Sequence, residues 1–244
     1  MVSAKKDIME QLKKEILVLQ GFKSVTGESA MDLGLGPIAK AFPNEIFPTA
    51  AVHELISTAP EDAAATSGFV TGLLSGLMKA GRACIWISMH RTVFPPALKA
   101  FGVDPDKIIF IDLQCEKDVC WAMEEALKCE GLAAVVGEIR ELSFTASRRL
   151  QLAVEKSRVT GFILRHQPRN LNTIAAVSRW RIVPLPSETT EGLPGVGLPR
   201  WNVELLKIRN GKPGAWQLEW AGDHFQPVYP LVYALQKEQI KKTG

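Results

Sequence analysis

Short apolar runs alternate with segments of helical periodicity between residues 50 and 185, and this alternation limits the folds open to the chain. The strand-like runs are 50–56, 82–88, 107–113, 132–139, 159–165 and 174–185. The helical patterns cover 60–78, 94–101, 117–130 and 145–158. Strands and helices in alternation form a mostly parallel sheet with helices on its faces. We therefore predict an α/β fold in which the continuously apolar run 107–113 is covered on both faces.

The helical segment that follows the first strand contains a stretch without charge, residues 63–78. This stretch is shorter than the roughly 20 residues that a bilayer crossing needs. Gly68, Gly72 and Gly76 recur every fourth residue, so they share one face of the helix. We predict a buried helix whose glycine face allows close packing, in a protein without a membrane partner.

The two ends of the chain differ from this central pattern. Residues 5–20 have an amphipathic helical pattern, and residues 21–48 are rich in Gly and Pro, which is typical of a connecting arm. Two strand-like runs, 201–209 and 215–222, are joined by Asn-Gly-Lys-Pro-Gly and predict a β-hairpin. The predicted organisation is a helix and arm over 1–48, a core over 49–222 and a flexible tail over 223–244.

The net charge of +3 conceals an uneven distribution. Residues 101–139 contain 3 basic and 9 acidic residues, whereas residues 140–209 contain 12 basic and 5 acidic residues. A basic segment favours an anionic partner such as single-stranded DNA, or an acidic protein surface. The candidate contacts are Arg148, Arg149, Arg165, Arg169, Arg179 and Arg181. A solvated helix face explains Arg148 and Arg149 equally well, and Trp180 fits either base stacking or the core.

Cysteine usage and the first twenty residues indicate a cytoplasmic protein. No signal-peptide pattern is present in that segment, and a cytoplasmic chain keeps its thiols reduced. Cys115, Cys120 and Cys129 lack zinc-finger spacing, so we expect neither a metal nor a cofactor.

The segment from Ser57 to Gly68 occupies the position of a phosphate-binding loop, because it lies between the first strand and the first helix. A P-loop has the pattern Gly-x-x-x-x-Gly-Lys followed by Ser or Thr. This segment has no Lys, no glycine before Gly68 and two carboxylates. We predict a degenerate nucleotide loop, whose residues are Ser57, Pro60, Asp62, Thr66 and Ser67.

Several segments resemble one known family. The matching runs are FPTAAVHEL (47–55), WAMEEALKCEGLAAVVGEI (121–139), TASRRLQLAVEKS (145–157) and PRWNVELLKIRNGKPGAWQLEW (199–220). Over residues 40–222 the chain resembles the ImuA family within the RecA-like group, and the cell-division inhibitor SulA is similar in the same core. The resemblance implies a RecA-like core. Against that pattern, Thr66 or Ser67 stands near the expected Lys, Met89 near the catalytic Glu, and Glu138 near the metal-binding Asp.

The resemblance implies a non-enzymatic accessory role in inducible DNA-damage tolerance, that is, in mutagenic translesion synthesis. The implied partners are an ImuB-like inactive relative of Y-family polymerases and an error-prone C-family polymerase. RecA, a second copy of the chain and weakly bound single-stranded DNA are further implied partners. A contact with RecA or a second copy would use the apolar stripe of the N-terminal helix, which consists of Ile8, Leu12, Ile16 and Leu19. Two alternatives stay open: a RecA-like ATPase with a non-standard nucleotide site, and a SulA-like inhibitor of division.

Overall fold

The computed structural model describes residues 9, 11–12, 33–188 and 197–228. In this part of the chain the α-helices are α1 (Pro60–Leu77), α2 (Glu116–Ala126) and α3 (Phe144–Ser157). The strands are β1 (Val52–Ser57), β2 (Cys84–Ser88), β3 (Ile108–Asp112), β4 (Ala134–Glu138), β5 (Thr160–His166), β6 (Ser178–Leu185), β7 (Arg200–Ile208), β8 (Gly214–Trp220) and β9 (Phe225–Pro227). The short helix predicted over 94–101 is a 3-10 helix, Pro95–Phe101. The predicted order of strands and helices is confirmed.

The strands form one mixed sheet in the order β3-β2-β4-β5-β1-β6-β7-β8-β9. In this spatial order the first six strands, β3 to β6, run parallel to one another. Strands β7, β8 and β9 continue the sheet with antiparallel pairing. Strand β1 lies between β5 and β6, with Leu55 opposite Leu164 on one side and Trp180 on the other. The mostly parallel α/β fold is therefore confirmed, and β1 ends at the carboxyl edge of the parallel strands, between β5 and β6.

Helices cover the two faces of the sheet unequally. One face packs against α1 and buries large aromatic side chains, including Phe69, Trp180, Trp201 and Trp220. The other face packs against α2 and α3 and buries mostly aliphatic side chains, such as Val119, Leu150 and Ile163. Trp180 is only 1% exposed, so it belongs to the core.

The glycine face of α1 allows the antiparallel end of the sheet to approach closely. A Cβ on Gly72 would lie 2.6 Å from the ring of Phe225 and 2.9 Å from that of Trp220. A Cβ on Gly76 would lie 2.7 Å from the side chain of Leu33. The predicted close packing is confirmed. Among the described residues, no helix is long and apolar enough to cross a membrane.

Strand β3 lies at one edge of the sheet, where it pairs with β2 alone. Ile109 is 52% exposed, and Phe110 is partly covered by the guanidinium of Arg91, 5.0 Å from the ring centroid. The prediction that residues 107–113 are covered on both faces is therefore wrong. An apolar run predicts a strand but does not reveal whether the strand has one neighbour or two.

Residues beyond both ends of the predicted core also belong to the observed core. Leu33, Ile38 and Phe42, in the segment predicted as a connecting arm, are buried in the aromatic core. The hairpin of β7 and β8 is confirmed, and β9 extends it from within the predicted tail, with Phe225 1% exposed. The described core therefore extends from residue 33 to residue 228. Most of the predicted N-terminal helix and residues 229–244 lie outside the described residues.

The start of α3 differs from its sequence prediction. Its N-cap is Ser143, whose hydroxyl accepts a hydrogen bond from the amide of Ala146 at 3.1 Å. The helical pattern over 145–158 predicts instead that the helix begins at Thr145. Both residues carry the required hydroxyl, so the sequence alone does not separate them.

Candidate functional site

The carboxyl edge of the parallel strands gathers several polar side chains. Ser57 ends β1, Asp112 ends β3, Glu138 ends β4 and His166 ends β5. Ligands of open α/β sheets bind at this edge, in the crevice outside the carboxyl ends of the strands. The edge is therefore the candidate functional site.

The carboxylate of Asp62, in the first turn of α1, binds the short connection between β1 and α1. Only Thr58 and Ala59 separate the two elements. Oδ2 of Asp62 accepts hydrogen bonds from the amide of Thr58 at 3.1 Å, its hydroxyl at 2.8 Å and the amide of Ala59 at 3.2 Å. Phosphate-binding loops leave such amides free for the phosphate oxygens. Here Asp62, which is 5% exposed, occupies them.

Thr66 and Ser67 do not stand at the start of the helix. Because α1 begins at Pro60, both residues lie in its second turn. Thr66 is buried and lies 3.0 Å from the hydroxyl of Ser57, and Ser67 donates to the carbonyl of Ala63 at 3.0 Å. The prediction that one of them stands in the place of the phosphate-binding Lys is corrected, because that Lys would belong to the first turn.

Glu138 is held by the indole of Trp86 and lies near the imidazole of His166. Its Oε1 accepts a hydrogen bond from the indole of Trp86 at 2.8 Å, and its Oε2 lies 3.7 Å from Nε2 of His166. Burial raises the pKa of Glu138, the Trp86 hydrogen bond opposes that rise, and Asp112 adds to it. Burial lowers the pKa of His166, which favours the neutral imidazole. Met89, after β2, supplies no carboxylate beside them.

A cleft of about 580 Å³ opens beside this edge. Its walls are the first turns of α1, the segment from Thr92 to Phe101, and Trp201 with Pro199. His166 and Gln167 line one end, and Phe94 at the rim is 69% exposed. The described lining is mostly apolar and includes no Lys or Arg that could neutralise a phosphate.

Arg165 is an internal residue, and the side chain of Arg179 is 19% exposed. Arg165 is fully buried, and its Nη1 lies 2.9 Å from Oε1 of Glu54. Arg179 is partly buried, and its Nε lies 2.5 Å from Oε2 of the same carboxylate. The prediction that these two arginines contact DNA or a partner is corrected, because their guanidinium groups satisfy Glu54 inside the fold.

The remaining predicted arginines reach the surface in different places. Arg148 and Arg149 are exposed on α3, where Arg149 pairs with Glu124 of α2. Arg169 is exposed in the loop after β5. Arg181 on β6 is half-exposed, 3.8 Å from Glu204, and its Nε is buried without a hydrogen-bond partner among the described residues.

The predicted association stripe falls largely outside the described residues. Leu12 is helical and 50% exposed, and Met9 beside it is 56% exposed. Ile8, Ile16 and Leu19 are not described. Within the described ranges, no group of three or more His, Cys, Asp or Glu side chains could hold a metal ion.

Sequence reasoning did not single out Glu54, His166 or the apolar cleft. Glu54 stands inside an apolar strand, where a carboxylate is unusual unless it is paired. A carboxylate within an apolar strand is therefore a sequence signal for a buried ion pair. The cleft has no sequence signal, because its lining comes from four separate segments.

The described residues have a RecA-like α/β fold. The RadB recombinase structure aligns with 82% of this chain and 100% of its own, with a TM-score of 0.57. A KaiC-like protein from Pyrococcus horikoshii OT3 aligns with 81% of this chain and 97% of its own, with a TM-score of 0.53. Both are 13% identical in sequence, so they show the fold alone.

Sequence relatives give the family. Protein ImuA from two strains of Caulobacter vibrioides is 35% identical over 206 residues, which cover 80% of this chain and 84% of the relative. The chain belongs to the ImuA family. The cell division inhibitor SulA of Photorhabdus laumondii is 34% identical over 95 residues, 39% of this chain and 54% of that protein. No protein-family model matches the chain.

Proposed function

We propose that this chain is a non-catalytic RecA-like accessory protein of inducible DNA-damage tolerance, and that it acts by binding partner proteins. The observation that carries the proposal is the contact of Asp62 with the amides of Thr58 and Ala59. ATP hydrolysis needs a phosphate clamp, a metal and a group that positions water. This chain lacks the P-loop Lys in its sequence, and its own carboxylate fills the amide cradle.

The proposed partners are an ImuB-like inactive relative of Y-family polymerases and an error-prone C-family polymerase. Membership of the ImuA family supports this part of the proposal. RecA, a second copy of the chain and single-stranded DNA are further proposed partners, and a cytoplasmic location follows from such a role. The exposed Leu12 supports an association role for the N-terminal stripe.

A phosphate-release assay tests the absence of catalysis. Release should stay at the buffer level with and without single-stranded DNA, and a fluorescent ATP analogue should show no saturable binding. Purified RecA is the positive control. Turnover that Glu138→Ala abolishes would refute the proposal and support a RecA-like ATPase with a non-standard nucleotide site, the second candidate favoured by the Glu138 and His166 pair.

Affinity capture from DNA-damaged cells tests the partners. The expected captured proteins are the ImuB-like and C-family polymerases. Capture of the tubulin-like division protein in their place would favour a SulA-like inhibitor, the candidate that the 95-residue similarity supports.

Removal of residues 1–22 tests the apolar stripe of the N-terminal helix. The truncation should abolish association while the core, described from residue 33, stays folded.

A further inference from the structure

Glu54 forms a buried triad with two arginines. The carboxylate is 1% exposed, and its two oxygens contact Arg165 at 2.9 Å and Arg179 at 2.5 Å. Removing three charges from water is costly unless every one of them is well paired. Glu54 carries one charge against two, and Oε2 of Glu141, 3.6 Å from Nη2 of Arg165, adds a second carboxylate. The remaining N–H groups of the two guanidinium groups need further acceptors.

Those acceptors belong to the loop that follows β5. Nη2 of Arg165 donates to the carbonyl of Asn170 at 3.0 Å, and Nη1 donates to Oδ1 of Asn172 at 3.1 Å. Nη2 of Arg179 donates to the carbonyl of Asn172 at 2.6 Å. The triad therefore anchors the middle of this loop to the interior of the protein.

A second loop is anchored in the same way. Nδ2 of Asn172 donates to the carbonyl of Leu142 at 2.8 Å, and the amide of Arg169 donates to Oε1 of Glu141 at 2.6 Å. Nε of Arg140 donates to the carbonyl of Gln167 at 2.8 Å. We call residues 139–143 and 167–177 together the loop pair. The bonds that join them make the loop pair one connected surface at the carboxyl edge of the sheet.

The loop pair presents two arginines, one glutamate and one large apolar side chain to solvent. Arg140, Arg169 and Glu141 are exposed, and Leu171 is 58% exposed. The Glu141 carboxylate is turned to the protein, because Oε1 accepts from the amide of Arg169 at 2.6 Å and Oε2 lies 3.6 Å from Nη2 of Arg165. Within residues 33–188 and 197–228, no carboxylate forms an ion pair with the guanidinium group of Arg140 or Arg169. An exposed Leu beside guanidinium groups without a carboxylate partner matches a protein that brings acidic side chains around an apolar one.

We propose that the loop pair is a preformed docking surface for an acidic protein segment with an apolar anchor side chain, and that Glu54 is its positioning residue. This inference rests on the proposed function, in which the chain acts by binding proteins. A surface ordered before binding loses little conformational entropy when the partner docks. The buried triad supplies that order without touching the partner.

Binding of the purified ImuB-like protein of the same organism tests the surface. The double variant Arg169→Glu and Leu171→Ala should weaken binding by about tenfold or more, as expected for interface anchors. The matched control is Lys207→Glu with Leu206→Ala, two exposed residues on β7, which should leave affinity within about twofold. An equal loss of affinity in the two double variants would overturn the inference, and so would unchanged affinity in both.

Hydrogen exchange of the full chain tests the role of Glu54. The amides of Arg169 and Ala175, which donate to Glu141 and Ser147, should exchange slowly in the wild type and at least about tenfold faster in Glu54→Gln, while those of β2 stay protected. If Glu54→Gln does not fold, Asn172→Ala should give the same local acceleration, because it removes both the Arg165 and Leu142 contacts. Fast exchange in the wild type would overturn the preformed surface.

The outcomes separate this inference from the proposed function. Wild-type protein that fails to bind the ImuB-like protein refutes both. Wild-type binding that both double variants retain refutes the loop pair alone. Loss of single-stranded DNA binding with retained protein binding in the Arg169→Glu and Leu171→Ala variant assigns the loop pair to nucleic acid and overturns the protein surface.

Discussion

Asp62 binds the amide of Thr58, 3.1 Å away, between the first strand and the first helix, the position that a phosphate-binding loop takes in nucleotide-binding α/β folds. A chain that carries its own anion at this position has a stable loop without a ligand. The same contact predicts a loss of stability, rather than a gain of nucleotide binding, when the carboxylate is removed.

Asp62→Ala should lower the free energy of unfolding by about 1 kcal/mol, within the range of about 0.5–2 kcal/mol for lost helix-start contacts. It should not create saturable ATP binding, because no Lys enters the loop. Urea denaturation and fluorescent-nucleotide titration measure the two effects. The matched control is Glu61→Ala, an exposed neighbour in the same turn, with a change below about 0.5 kcal/mol. A control as destabilising as Asp62→Ala would contradict this account.

The stability of the fold should depend on pH through His53. Burial lowers its pKa from 6.5 to about 4 in the folded state. The unfolded chain takes up a proton below pH 6.5 while the folded chain resists it. The free energy of unfolding therefore keeps the full contribution of neutral His53 above pH 6.5. It decreases as the pH falls from 6.5 towards 4, by at most about 3 kcal/mol.

His53→Gln tests this dependence by denaturation at several pH values. The slope between pH 6.5 and 4 should become smaller, with the part due to His166 remaining, because burial lowers the pKa of that residue as well. His90→Gln is the control, since His90 is exposed. An unchanged slope in His53→Gln would show that other groups produce the pH dependence.

Gly72→Ala should destabilise the protein. The added Cβ would lie 2.6 Å from Phe225 and 2.9 Å from Trp220, both buried rings. Overpacking typically costs about 1–3 kcal/mol, against a gain of about 1 kcal/mol in helix propensity, so we expect a net loss of about 1 kcal/mol. Thermal unfolding should therefore show a lower midpoint.

Gly131→Ala is a suitable comparison, because a methyl group added there would have no atom within 4 Å, apart from those of its two chain neighbours, in the described parts of the chain. Its midpoint should match that of the wild type. A Gly72→Ala midpoint at or above the wild-type value would mean that the two rings can move apart without cost.

Single-stranded DNA binding should depend on exposed arginines and not on the buried ones. Replacing Arg148 and Arg181 with Ala should flatten the log–log slope of affinity against salt by roughly 1 to 2 units if both contact phosphates. Lys79→Ala, just beyond the far end of α1, should leave the slope unchanged. Fluorescence anisotropy with a labelled oligonucleotide at several salt concentrations measures it. No binding at low salt, or an unchanged slope in the double variant, would contradict the prediction.

Much of the fold follows from local sequence patterns. The alternation of apolar runs and helical periodicity predicts β1 to β6 and the helices between them, because period and composition act within a few residues. The hairpin turn at Asn210 is equally local, since its positive φ of 59° suits Asn. The missing Lys between Ser57 and Gly68 is also visible in the sequence alone.

The tertiary structure decided which polar residues are available to a partner. Glu54 and Arg165 are 111 positions apart and meet only because β1 and β5 are neighbours in the sheet. In the sequence, Arg165 and Arg169 look alike, yet one is fully buried and the other is exposed. Sequence periodicity determines the elements, whereas burial and charge pairing arise from contacts between distant segments, and these contacts exist only after the sheet has assembled.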